Sequence, residues 1–208
     1  MGVLEAKEVT YHYTEGKPVL NQVSLSFEKG KLYVILGPSG CGKTTLLSLL
    51  GGLDVPDGGE ILFEGKELKE IGLERYRHEH VSFVFQNYNL IDYMTPEENV
   101  ALTTREDPLP TLLSLGLTQE EVRRNVLKLS GGQQQRVAIA RALASQAPVI
   151  LADEPTGNLD EATAQEITGI LKSAAKQYHR CVIVVTHSNE VAKEADAVIT
   201  LKNGMALL

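Results

Sequence analysis

The sequence predicts an α/β fold, a mostly parallel sheet with flanking helices, and three observations predict it. Two apolar runs, 32–36 and 46–50, flank a glycine-rich stretch, as expected for a buried strand, a tight turn and a helix. From Gly131 onward, helical segments alternate with short apolar strands, the pattern of parallel βα units. With 208 residues, 43% of them hydrophobic, the chain can bury one substantial core, or a core carrying a subdomain.

Taken in order, residues 4–13, 19–27 and 32–36 read as strands of an N-terminal β part, separated by Gly16-Lys17-Pro18 and Glu28-Lys29-Gly30. A helix starts near Lys43 and its apolar face stops at Gly51-Gly52; Pro56-Asp57-Gly58-Gly59 is a turn. Residues 60–63, Glu64-Gly65 and 66–68 form a short antiparallel hairpin, and 81–85 is a buried strand ending at Gln86.

The texture then changes. Thr95-Pro96-Glu97-Glu98 and Thr118-Gln119-Glu120-Glu121 are capping boxes that announce helices, with Pro108 and Pro110 breaking the chain between them. A helical subdomain over 87–145 is therefore expected, inserted into an α/β core of 1–86 and 146–208 within a single domain. Beyond it come a helix over 131–145, a strand over 149–152, a helix over 161–177, a strand over 181–186 and a short helix after Ser188. A closing hairpin, 197–201 with 205–208, turns at Asn203-Gly204, a strong type I′ signal.

Composition excludes several classes. A formal charge of −7 offers no basic surplus to displace counterions from a phosphate backbone, so no nucleic-acid partner is expected. No apolar run approaches the ~18 residues that span a bilayer, and no signal peptide opens the chain, so work at a membrane would go through a partner. Two cysteines, Cys41 and Cys181, suit neither a disulfide framework nor a zinc site, which fits a reduced cytoplasmic setting.

Three stretches carry chemistry. Gly37-Pro38-Ser39-Gly40-Cys41-Gly42-Lys43-Thr44-Thr45 has the spacing of a phosphate-binding loop. Its glycines let backbone N–H groups converge on an anion at a helix N-terminus; Lys43 can reach the β- and γ-phosphates and the Thr44 hydroxyl can ligate Mg²⁺. Asp153 and Glu154 end an apolar strand, where the first can hold Mg²⁺ and the second can polarise an attacking water. Ser130, an N-cap with Gln133 three residues on, opens another helix toward an anion in Leu129-Ser130-Gly131-Gly132-Gln133.

With Gln86 after a strand, Asn158-Leu159-Asp160 after the carboxylates and His187 after the next strand, these motifs resemble the nucleotide-binding domain of ATP-binding cassette (ABC) proteins over nearly the whole chain. The resemblance implies a P-loop ATPase core with an inserted helical subdomain, using ATP and Mg²⁺. It implies that the loop 37–45 is Walker A and that Asp153 and Glu154 close Walker B, with Glu154 as catalytic base. Gln86 would sense Mg²⁺ and the γ-phosphate, and His187 would bond that phosphate and orient the water. Tyr13 resembles the adenine-stacking aromatic, with Tyr11 on the same strand face as the alternative. Ser130, Gly132 and Gln133 resemble the signature that completes a second copy's site, implying a homodimer with ATP at its interface; Asp160 would couple the two sites.

The run from Leu151 to Asp160, with SGGQQQRVAIARAL from Ser130, looks like the branch of macrolide exporters, lipoprotein-release ATPases and antimicrobial-peptide resistance transporters. That branch implies an ATPase subunit at the cytoplasmic face of the membrane, powering an integral membrane permease in export, lipoprotein release or force transmission. The alternative is a cassette ATPase that regulates cell-wall remodelling or division through a membrane partner without transport. Cassette proteins of DNA repair or translation need long insertions or two cassettes, for which the chain has no room. Residues 101–128 are shorter than the branch usually carries. The stretch 86–100, with Tyr88, Leu90, Ile91, Tyr93 and Met94, is either a docking groove or subdomain core.

Overall fold

The computed structural model describes residues 2–14, 16 and 18–207. Lys17, in the first predicted separator, and Leu208, the last residue of the predicted closing hairpin, lie outside the described residues. The strands are β1 (Leu4–Tyr11), β2 (Leu20–Phe27), β3 (Leu32–Leu36), β4 (Gly58–Phe63), β5 (Lys66–Glu67), β6 (Val81–Val84), β7 (Val149–Asp153), β8 (Cys181–Thr186), β9 (Ala197–Lys202) and β10 (Met205–Leu207). The helices are α1 (Lys43–Leu50), α2 (Leu68–Ile71), α3 (Leu73–Glu79), α4 (Pro96–Ala101), α5 (Leu109–Ser114), α6 (Gly131–Ala144), α7 (Glu161–Gln177) and α8 (Asn189–Lys193).

Two sheets result. One is antiparallel in the order β2-β1-β4-β5; the other runs β10-β9-β3-β8-β7-β6 and is parallel except at the β9–β10 hairpin. β8 is buried at every residue because helices or sheet cover both its faces, which is why its sequence is an unbroken apolar run. β1 shows the other pattern, alternation, broken once. Glu8 takes a left-handed φ of +50° and the register shifts between Ala6 and Val9, so that Leu4, Ala6, Val9 and Tyr11 all stay buried.

One core lies between the sheets around α1, whose leucines 46, 47, 49 and 50 are all buried. Another fills the opposite face of the parallel sheet under α6, α7 and α8. A third joins Val100, Leu112, Leu117, Val122 and Leu129 to Val137 and Ala140 of α6. Helix α6 thus faces two cores at once, with Ile139 and Ala142 turned to the sheet.

Several boundaries differ from the sequence expectation. β1 stops at Tyr11, so Tyr13 does not share a strand face with it. The hairpin strand ends at Glu67, and Leu68 opens two unexpected helices, α2 and α3, separated by Gly72 at φ +90°. Their apolar residues, Leu68 and Ile71 and then Leu73 and Tyr76, keep three-residue spacing, but each run is too short to show a period. Pro108 and Pro110 start α5 rather than interrupt the chain, since a first helical turn has no partner for the missing N–H. The Thr118 box forms, with Thr118 N donating to Glu121 at 2.7 Å, yet caps only a 3₁₀ turn over Glu121–Arg123. Thr95 and Ser130 cap α4 and α6 with complete boxes, and Asn203 and Gly204 take the two positive φ angles of the expected turn.

Candidate active site

The parallel sheet brings the C-terminal ends of β3, β7 and β8 side by side, and the loops leaving them carry the chemistry. After β3 the chain turns through Gly40 and Gly42, at φ +77° and +103°, into α1. The backbone requires glycine there, and a Cβ on Gly42 would also press on Leu20 and the Val19 carbonyl at 3.0 and 3.1 Å. Lys43 is buried, its ammonium donating to the carbonyls of Gly37 at 2.7 Å and Pro38 at 3.3 Å.

At the end of β7, Thr44 Oγ1 donates to Asp153 Oδ1 at 3.3 Å. This hydroxyl–carboxylate pair is the hard-oxygen set that Mg²⁺ takes, with its other positions left to water and phosphate, so the residues fit the ion. Burial pushes the Asp153 carboxyl above its usual range; the Thr44 bond opposes this, the neighbouring Glu154 adds to it, and Lys43 opposes it.

Glu154 stands at φ +44°, a left-handed conformation that is strained for a residue with a side chain. The turn is held by its N–H bond to the Val185 carbonyl at 2.9 Å. One carboxylate oxygen accepts from Thr186 Oγ1 at 2.8 Å. The other lies 3.0 Å from His187 Nδ1 and 3.9 Å from Lys43 Nζ. Lys43, Thr44, Asp153, Glu154 and His187 therefore form one constellation.

Tyr13 joins this group through its hydroxyl, 2.8 Å from Thr45 Oγ1, and leaves 66% of its surface exposed beside the loop. Tyr11 is buried and donates to Asp54. Cys41 is half-buried, and a Cβ on Gly37 would sit 2.5 Å from its sulfur. Gln86 is turned toward Asn158, donating at 3.3 Å to its side-chain oxygen, while Asn158 donates to the Gln86 carbonyl at 3.4 Å.

Ser130, Gly132 and Gln133 form a separate group. Ser130 and Gln133 bond each other reciprocally at 2.8 and 3.3 Å, and Gln133 also donates to Glu121 at 2.6 Å. Gly132 packs against Thr163, where a Cβ would come within 2.6 Å; Thr163 is held by Asp160, which caps α7. Among the described residues no hydrogen bond joins this group to the loop 37–45.

Two supporting residues were not singled out from the sequence: Thr186 and Arg141. Arg141 donates to the carbonyls of Tyr88 at 3.1 Å and Asn89 at 2.7 Å, which fixes the chain two residues after Gln86. Its signal was a single charge within the apolar run 137–144 of α6. Of the stretch 86–100, Leu90 packs against the third core while Tyr93 is exposed. A cavity of about 860 Å³ lies beside it, between Phe83 and Phe85 and the segment Leu102 to Arg105, with Arg77 and Arg141 on its walls.

The model of the family described as ABC transporter matches residues 20–157. The chain is 45% identical to the uncharacterized ABC transporter ATP-binding protein YclH of Bacillus subtilis, over 98% of this chain and 95% of that one. It is 41% identical to the macrolide export ATP-binding/permease protein MacB 2 of Aeromonas hydrophila, over 97% of this chain but 33% of that protein's length. Among solved structures, the dimeric cassette MJ0796 of Methanocaldococcus jannaschii superposes with a TM-score of 0.88 at 37% identity, covering 99% of this chain and 97% of that one. A structure of the same cassette in a post-hydrolysis state bound to ADP and Pi matches with TM-score 0.88.

Proposed function

The chain belongs to the ABC transporter family as an ATP-binding, ATP-hydrolysing subunit, and from that premise we propose how its residues divide the work. Lys43 and the backbone amides of the loop 37–45 bind the phosphates of ATP, and Tyr13 stacks on the base. Thr44 and Asp153, with Gln86, would hold Mg²⁺, which would supply neutralisation of phosphate charge. Glu154 takes the proton of the attacking water as its oxygen bonds the γ-phosphorus and the bond to the ADP oxygen breaks. His187, already against Glu154, orients that water and contacts the γ-phosphate. The observation that carries this reading is the Glu154 carboxylate. It is fixed by Thr186 at 2.8 Å and His187 at 3.0 Å and faces the Lys43 ammonium.

Ser130, Gly132 and Gln133 complete the site of a second copy. Their separation from the loop of their own chain supports that division, as does the dimeric state of the related cassette. ATP then contacts both copies, and loss of the γ-phosphate loosens them. Asp160 and Thr163, packed on Gly132, link the two sites. Residues 87–145 act as the subdomain that carries this signature. An integral membrane permease docks from the cytoplasmic side into the cavity bounded by Phe85, Leu102 and Arg141. Among the described residues no helix is long and apolar enough to cross a membrane. The chemical work drives export or force transmission through that partner.

The test is Glu154→Gln. Turnover should fall by a factor of about 10²–10⁴, the usual contribution of a positioned base. ATP should still bind and hold two copies together in light scattering, and an integral membrane protein should co-purify from membranes solubilised with ATP. A variant that still turns over ATP removes the base assignment; a variant that stays monomeric with ATP bound removes the shared site.

A further inference from the structure

The position of Tyr13 is set from outside its own strand. β1 ends at Tyr11, and among the described residues no ladder bond fixes residues 12 and 13. The turn 53–57, which leads from α1 into β4, does so instead. Asp57 accepts from the His12 backbone N–H at 2.7 Å and lies 3.0 Å from His12 Nδ1 through the same oxygen. Its own N–H donates to the Thr10 carbonyl at 3.0 Å, so strand and turn are bonded in both directions. Asp54 accepts from the Tyr11 hydroxyl with one oxygen and from the Val55 N–H, at 2.8 Å, with the other. The Tyr11 ring then stands edge-on to Tyr13, centroids 5.2 Å apart and planes at 87°. The hydrogen bonds leave their mark on both partners. The bonds from His12 hold the Asp57 carboxyl below its usual range, and Asp54 pushes the Tyr11 phenol up to about 12.

The same turn is tied to the phosphate-loop helix. Leu53 N donates to Ser48 O at 2.9 Å, and Tyr13 itself bonds Thr45 on the first turn of α1. The distance between the ring and the phosphate loop is therefore set by one connected piece of chain: α1, the turn and the end of β1.

We propose that Asp57, assisted by Asp54, is a positioning residue for the nucleotide base, holding the Tyr13 ring at its reach from the phosphate loop through His12 and Tyr11. The inference rests on the reading of Tyr13 as the base platform. Asp57 touches no nucleotide; it acts through the residue next to Tyr13. The site binds the base only as well as that clasp holds.

The experiment measures binding of ATP and of inorganic tripolyphosphate, which has no base, to the purified full chain carrying Glu154→Gln. Asp57→Ala should weaken ATP by about fivefold, the usual worth of one or two exposed hydrogen bonds. It should leave tripolyphosphate binding unchanged and lower the melting temperature only slightly. Asp57→Asn, which keeps an acceptor for the His12 N–H, should recover most of the ATP affinity. Once Tyr13→Ala is present, Asp57→Ala should have no further effect on ATP. Equal weakening of ATP and tripolyphosphate would overturn the inference, because the clasp would then support the phosphate loop. So would unchanged ATP binding in Asp57→Ala where Tyr13→Ala alone weakens it. If Tyr13→Ala itself leaves ATP affinity unchanged, the base platform lies elsewhere, and the reading beneath the inference fails with it.

Discussion

Arg141→Ala is the perturbation that best probes how Gln86 is held. Tyr88 and Asn89 both occupy left-handed backbone, at φ +60° and +48°. Each such residue costs roughly 1–2 kcal/mol, less for asparagine. Against this, Arg141 supplies two hydrogen bonds to their carbonyls, at 3.1 and 2.7 Å. Bonds to a charged donor contribute about 1.5–3 kcal/mol each when shielded from water, and the half-open position of this guanidinium points to the low end. Strain and clasp are thus of similar size, and the turn persists because the arginine is there. Removing the side chain should free the turn to open more often, by about 30-fold for a net loss of ~2 kcal/mol. The assay is amide exchange at Tyr88, whose N–H bonds the Phe85 carbonyl at 3.1 Å. ATP turnover should fall with it, through a loosely held Gln86, while tripolyphosphate affinity stays constant because the loop 37–45 is untouched. Arg141→Lys, restoring one bond of two, should fall between. A lowered melting temperature with unchanged exchange at Tyr88 would refute the argument, since Arg141 would then be supporting α6 packing alone.

Other consequences follow from burial at the site. Asp153→Asn should raise the melting temperature of the nucleotide-free chain at neutral pH while abolishing Mg²⁺-dependent turnover. Burial raises the Asp153 carboxyl above its ordinary value, so ionisation destabilises the fold as pH climbs from the unfolded-state value through the raised one. The gain from asparagine should therefore vanish as pH drops below the ordinary carboxylate range; a gain that persists there would refute the electrostatic account. Maleimide should inactivate the ATPase at Cys41, because an adduct on a loop residue beside Gly37 fills the phosphate site. ATP should protect, and unchanged inactivation of Cys41→Ser would show that another group is responsible.

What the sequence determined is whatever is written within a few residues. The phosphate loop is legible because glycine spacing, a preceding apolar strand and a following helix are contiguous; the caps at Thr95 and Ser130 are legible because a box closes over four residues. The same holds for Asn203-Gly204, where two residues choose the turn. Recognition of the Asp153, Glu154 and His187 motifs carried the site further, since their order along the chain is itself a pattern.

The tertiary structure decided the rest, because the deciding contacts join distant segments whose sequences carry no mark of each other. β8 lies between β3 and β7, which brings His187 and Glu154 to the loop after β3. Tyr13 and not Tyr11 is the exposed ring because Tyr11 packs into the core, its hydroxyl meeting Asp54 forty-three residues away. The turn after Gln86 is held by an arginine more than fifty residues on. A side chain that bonds a backbone carbonyl needs no particular residue at the other end. Position alone makes such a bond, and only the folded chain sets position.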